Sequence, residues 1–180
     1  EIYNVDLLLP DEFSKIHYRD ANIILNNIKD CIDKNPKIKG VILTNPNYYG
    51  FYINQKEIYE YLRKKNISLL IDSAHGAHIK AFNKTLECPN KFCDISVMSA
   101  HKTLAAFTQG AYLHVNNEKF INKVDEYFSV FTTTSPSYLT MISLEKSLED
   151  CKKYFKRKDV LRKRCNDFKK HINRDAHMYA

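Results

Sequence analysis

At 180 residues, with 44% hydrophobic and 27% charged residues, the chain has the length and balance of one globular domain able to bury a core, which excludes a disordered or fibrous protein. Its formal net charge of +7, from 28 Lys and Arg against 21 Asp and Glu, raises the question of a nucleic-acid partner. No apolar run approaches the roughly 20 residues a membrane span needs, and the early segment IYNVDLLLP is too short and too polar to be a span or a signal peptide.

The pattern alternates helix and strand. ANIILNNIKDCI, residues 21–32, places Ile24, Leu25, Ile28, Cys31 and Ile32 on one helical stripe, and Pro36 breaks it. GVILT (40–44) is a β-branched strand ended by the turn pair Asn45-Pro46. Asn54 stands where an N-cap is needed for QKEIYEYLRKKN, with Ile58, Tyr61 and Leu62 facing inward. SLLID (68–72) is a second strand and ends on a carboxylate; DISVM (94–98) is a third and AYLHV (111–115) a fourth. A helix is expected from Asn117 to Tyr127, and after TTTSPSY helix covers most of residues 137–170, with breaks. Strands apolar on both faces and separated by helices predict an α/β fold, a mostly parallel sheet flanked by helices on each side. No repeat, low-complexity tract or linker divides residues 1–180, so a single domain is expected.

The basic residues concentrate in KKYFKRKDVLRKRCNDFKK (152–170), where Tyr154, Phe155, Leu161 and Phe168 recur at helical spacing. That is the solvated face of an amphipathic helix, so no nucleic-acid partner is expected. Cys31, Cys88, Cys93, Cys151 and Cys165 are odd in number and scattered, which points to reduced thiols in a cytoplasmic compartment. Cys88 and Cys93 with His75 and His78 lack the spacing of a zinc ribbon, and no metal site is expected.

In a parallel sheet, ligands sit beyond the carboxyl ends of the strands. There the chain places Asn45, Pro46, Tyr48 and Tyr49 after the first strand, then Asp72, Ser73, Ala74 and His75 after the second. Ser99, His101 and Lys102 follow the third. Taken singly, a strand-end Asp is a turn residue, and lone histidines and lysines are surface or packing residues. Together they make a different set. An amine followed by Leu104-Ala105-Ala106-Phe107 is expected in a poorly solvated place, where its pKa falls and it can form a Schiff base. A neighbouring carboxylate can keep a ring nitrogen protonated, and a hydroxyl and an imidazole can donate to a phosphate. Pyridoxal 5′-phosphate needs the amine and the carboxylate, and the other two could serve its phosphate.

TNPNYYGFYIN, LLIDSAHGAH and DISVMSAHKTLAAFTQGAYLHV, followed by TTTSPSY, closely resemble the large domain of the Orn/Lys/Arg decarboxylases, pyridoxal-phosphate enzymes of the aspartate-aminotransferase fold (fold type I). The resemblance runs from about residue 36 to about residue 150, with the motifs in family order. It implies that Lys102 of S-x-H-K carries the cofactor as the internal aldimine and later moves a proton. Ser99 is implied to contact the phosphate and His101 to lie beside the cofactor. Asp72 of D-x-A-H would pair with the pyridine nitrogen, Ala74 would pack flat on the ring, and His75 would reach the phenolic oxygen. Thr133 of TTTSPSY would reach a phosphate, in a partner subunit of a homodimer or higher homo-oligomer. Ser73 stands where the family often has Glu, a departure expected to be tolerated because the position points away from the ring.

The resemblance also implies parts that these residues do not supply. The family's phosphate cup and the ring that stacks on the cofactor would precede residue 1, and a small domain would follow residue 180. The chain opens on Glu1 without an initiator methionine, so it is expected to be a central slice of a longer enzyme, weak in cofactor binding and nearly inactive alone. The implied reaction is α-decarboxylation of lysine, ornithine or arginine to a polyamine precursor. Transamination or another lyase reaction on the same fold, and a non-catalytic binding or regulatory homologue, are the alternatives; intact Asp72 and Lys102 weigh against the last.

Overall fold

A computed structural model describes residues 21–82, 86–154 and 158–178. IYNVDLLLP and Phe155 lie outside the described residues, as do the side chains of Ile24 and Tyr154. Four strands form one sheet in chain order: β1 Gly40–Thr44, β2 Ser68–Asp72, β3 Ile95–Ser99 and β4 Ala111–Val115. β1, β2 and β3 are parallel, with Thr44 opposite Asp72 and Asp72 opposite Val97. β4 returns antiparallel to β3, with Ser99 opposite Ala111. The helices are α1 Ala21–Lys34, α2 Lys56–Lys64, α3 Ile79–Phe82 and α4 Ala100–Thr103. A 3-10 turn at Glu118–Phe120 leads into α5 Ile121–Phe131, followed by α6 Tyr138–Tyr154 and α7 Lys158–Met178. This is the α/β class the sequence predicts. No helix among the described residues is long and apolar enough to cross a membrane.

The core lies between one face of the sheet and two helices. Ile28 and Ile32 of α1 and Ile58 and Leu62 of α2 pack on Val41, Leu43, Leu69 and Ile71, while Leu25 and Tyr61 close its margin. The opposite face is open among the described residues: Ile42 is 71% exposed, Val97 39% and Leu113 43%. β1 therefore alternates buried and exposed positions instead of burying both faces. Helical cover on the second face, expected from the apolar strands, is not formed by these elements. Val160, Leu161, Phe168 and Ile172 of α7 are exposed as well.

Two boundaries differ from expectation for local reasons. Gln55, not Asn54, occupies the N-cap of α2. Its buried amide is drawn away from the helix and donates to Pro89 O (2.6 Å) and Phe92 O (2.9 Å), while Asn54 Oδ1 accepts from Lys56 N at 3.3 Å. β3 begins at Ile95 because Asp94 serves as a junction. Its carboxylate accepts from Leu69 N (2.8 Å) and from Asn117 Nδ2 (2.6 Å), with the Arg63 guanidinium 3.7 Å away. Its backbone pairs with Leu69 O and Asn116 N, both at 2.8 Å.

Asp94 is 1% exposed, so Asp94→Ala strands a backbone N–H and an amide and should cost about 2–4 kcal/mol of stability, read from denaturant unfolding. A loss below ~1 kcal/mol would show that the junction is not structural. Burial also holds His78, beyond β2, and His114, in β4, below the ordinary histidine value; at His78 the neighbouring charge of His75 lowers it further, against a backbone hydrogen bond that raises it. A histidine whose folded value is depressed leaves stability intact above its unfolded value of about 6.5 and removes it as pH falls through the folded value. The thermal midpoint should therefore drop on acidification from neutrality toward pH ~5.5, and H114Q should flatten that slope.

Candidate active site

The first segment of the site, TNPNYYG, is held by its asparagines. Asn45 is fully buried; its N–H donates to Asp72 O (2.9 Å), its amide donates to Ile53 O (2.9 Å) and Gln55 Oε1 (2.6 Å), and its Oδ1 accepts from Ile53 N (3.1 Å). The Asn45-Pro46 peptide is cis. Asn47 Oδ1 then accepts from Tyr49 N and Phe51 N, both at 3.0 Å, and Gly50 takes φ 81°, a region glycine occupies without strain. The outcome is a tight loop with Tyr48 and Tyr49 outward, 78% and 72% exposed. Farther along, burial pushes the Tyr52 hydroxyl up to about 12, and that hydroxyl donates to Glu87 O at 2.5 Å.

The second segment is the turn after β2. Asp72 ends the strand exposed; one carboxylate oxygen, Oδ1, accepts from Ala74 N at 3.0 Å, and the other is uncommitted among the described residues. Gly76 N donates back to Ser73 O at 2.8 Å and closes the turn. A Cβ at Gly76 would overlap Ser73 Oγ and lie 3.0 Å from Pro46 and 3.2 Å from Pro89, so only glycine lets the β1 and β2 loops meet. Ser73 is wholly buried beneath that glycine. His75 is half-buried, and the edge of Tyr48 meets its ring at 5.6 Å and 84°.

The third segment is the turn after β3. Ser99 occupies the N-cap of α4, but its hydroxyl is not spent on a cap hydrogen bond. His101 places both its backbone N–H (3.2 Å) and Nδ1 (3.0 Å) on Gly110 O; a carbonyl only accepts, so Nδ1 carries a proton, and Nε2 has no hydrogen-bond partner among the described residues. Lys102 is exposed and its amine makes no hydrogen bond or ion pair among the described residues. This corrects the expectation of a poorly solvated amine: Phe107 is itself 60% exposed, so the apolar sequence after Lys102 does not fold over it.

The parallel register brings Asp72, Ala74, His75, Ser99, His101 and Lys102 to one edge of the sheet, with Asp72 and Ser99 on its open face. The donor set fits pyridoxal 5′-phosphate: a free carboxylate oxygen, a small side chain, an unspent hydroxyl and a free amine. Thr133 is tied to that edge by no hydrogen bond or ion pair among the described residues. It lies exposed between α5 and α6, where its Oγ1 accepts from Ser135 N at 3.1 Å. Sequence reasoning missed Gln55, Gly76 and Gly110 as supports. The dipeptides His75-Gly76 and Gln109-Gly110 were the available signals, since a glycine beside a polar cluster often marks close backbone approach. Cys93, buried and pushed up to about 11 chiefly by that burial, packs with the core.

A family model described as Orn/Lys/Arg decarboxylase, major domain, matches residues 15–180. The uncharacterized protein YaaO of Bacillus subtilis is 40% identical over 141 residues, covering 77% of this chain and 29% of that protein. Arginine decarboxylases of Halalkalibacterium halodurans and Bacillus subtilis are each 33% identical over 126 residues, covering 68% of this chain and 26% of theirs. The chain thus spans under a third of the length of these curated relatives.

Gly76→Ala should destabilise the fold by about 1–3 kcal/mol. Adding Ser73→Ala should recover part of that loss by removing the overlapping hydroxyl. Equal midpoints for the single and double variants in thermal unfolding would place the clash elsewhere.

Proposed function

Because the chain belongs to the Orn/Lys/Arg decarboxylase family, we propose that it forms the cofactor-binding centre of the large domain of a pyridoxal-phosphate-dependent α-decarboxylase of a basic amino acid, yielding a polyamine precursor. The observation that carries this reading is the gathering of Asp72, Ser99, His101 and Lys102 at adjacent strand ends, each with a functional atom left uncommitted.

In this reading the cofactor, when bound, supplies an electron sink for the pair left on the α-carbon. The uncommitted oxygen of Asp72 holds the proton on the ring nitrogen. Ala74 leaves room for a flat ring, and His75 meets the phenolic oxygen. Ser99 would face the phosphate and His101 would lie beside the cofactor, while Lys102 would hold it covalently and then move a proton at the substrate's α-carbon. The exposure of Lys102 supports a further point: the groups that dry this amine come from outside the described residues, so the 180-residue chain alone retains the cofactor weakly. Thr133, exposed between α5 and α6, fits a role at the phosphate of a second subunit in a homo-oligomer. Five free cysteines fit a reducing cytoplasm.

Arginine is the first substrate to assay, given the named relatives, with lysine and ornithine beside it. In the complete enzyme, Lys102→Ala should abolish cofactor retention through borohydride reduction and denaturation, read by mass spectrometry. Asp72→Ala should keep part of the cofactor yet lower CO2 release about 100-fold or more. Near-normal turnover of that variant would remove Asp72 from the ring nitrogen, and keto-acid formation without CO2 would favour an aminotransferase.

A further inference from the structure

Tyr48 has no role in the reading above, yet its placement is unusual. Its ring is 78% exposed, a wasteful position for an aromatic side chain, and it meets two other rings edge-on. One is Tyr49, at 5.6 Å and 88°; the other is His75, at 5.6 Å and 84°. The Tyr48 hydroxyl makes no hydrogen bond among the described residues, so the contact belongs to the ring alone.

The backbone beneath both partners is stiff. The loop carrying Tyr48 is pinned by the two hydrogen bonds to Asn47 Oδ1 and by the buried Asn45 amide. The turn carrying His75 is pinned by Ala74 N on Asp72 and Gly76 N on Ser73. Gly76 lets the two loops touch, with Pro46 immediately over it. His75 itself is half-buried, and among the described residues Tyr48 is the ring it meets. Two rigid loops thus leave the imidazole side-chain torsions as the free variable, and an edge-to-face ring restricts them.

We propose that Tyr48 is a positioning residue, whose ring holds the His75 imidazole in the orientation the site uses, with Tyr49 bracing it from behind. The inference rests on the decarboxylase reading for the role of His75, but the contact itself does not. It also explains why exposed Tyr48 sits at this edge: its packing partner is His75 and not the core.

The test has two arms. In the first, the 180-residue chain is labelled with 13C-histidine, and His75 is assigned through His75→Gln. Tyr48→Leu should displace the His75 ring signals by removing the ring current, whereas Tyr48→Phe should leave them in place. In the second, Tyr48→Leu in the complete enzyme should lower kcat about two- to tenfold, the worth of one aromatic pair, and Tyr48→Phe should restore it. His75 signals unmoved by Tyr48→Leu overturn the proposal, and so does wild-type kcat in that variant. If the wild-type enzyme releases no CO2 from arginine, lysine or ornithine, the decarboxylase reading falls by itself; the labelled-histidine arm then still decides whether Tyr48 sits against His75.

Discussion

The buried carboxylate of Asp94 fastens the amino ends of the sheet. It joins the start of β2, the end of α2 and the exit from β4 through Leu69, Arg63 and Asn117. An acid this buried is tolerated only because its oxygens are occupied by donors. With the strands locked in register at that end, their carboxyl ends arrive side by side at the other, and the chemistry-bearing residues have no freedom to be elsewhere. The division is physical: one end of the sheet spends its polar groups on itself, and the other leaves them unspent.

Unspent groups need stiff supports, or their positions mean little. Here the supports are backbone-directed amides and glycines. Asn45 and Asn47 bond loop N–H and C=O groups that would otherwise be buried unsatisfied, and Gln55 reaches across to the 89–92 segment. Gly76 admits one loop onto the other, and Gly110 offers its carbonyl to His101. None of these residues has chemistry of its own to offer. They set where Asp72, His75 and His101 stand, and they leave Tyr48 as the side chain that limits His75.

The open face of the sheet gives the site its unfinished character. Ile42, Val97 and Leu113 line that face, and Asp72 and Ser99 lie at its edge. Apolar strand positions exposed over a continuous surface call for cover, and a chain that spans under a third of its relatives' length leaves room for it.

Much of this was legible in the residues. β1, β2 and β4 fall where their apolar runs do, because a short β-branched stretch between turn residues has few other stable states. The grouping of Asp72, Ser99, His101 and Lys102 followed from the rule that parallel strands present their carboxyl ends together. What the sequence by itself determined was thus the class of fold and which chemistry-bearing residues stand at the strand ends. Burial, orientation and partnership were decided only in three dimensions: that Lys102 is wet, that Gln55 occupies the N-cap position of α2 while its amide bonds elsewhere, that Asp94 is a junction, and that Tyr48 meets His75. Each depends on which groups from distant parts of the chain come to lie within a few ångströms, and local pattern carries no record of that distance.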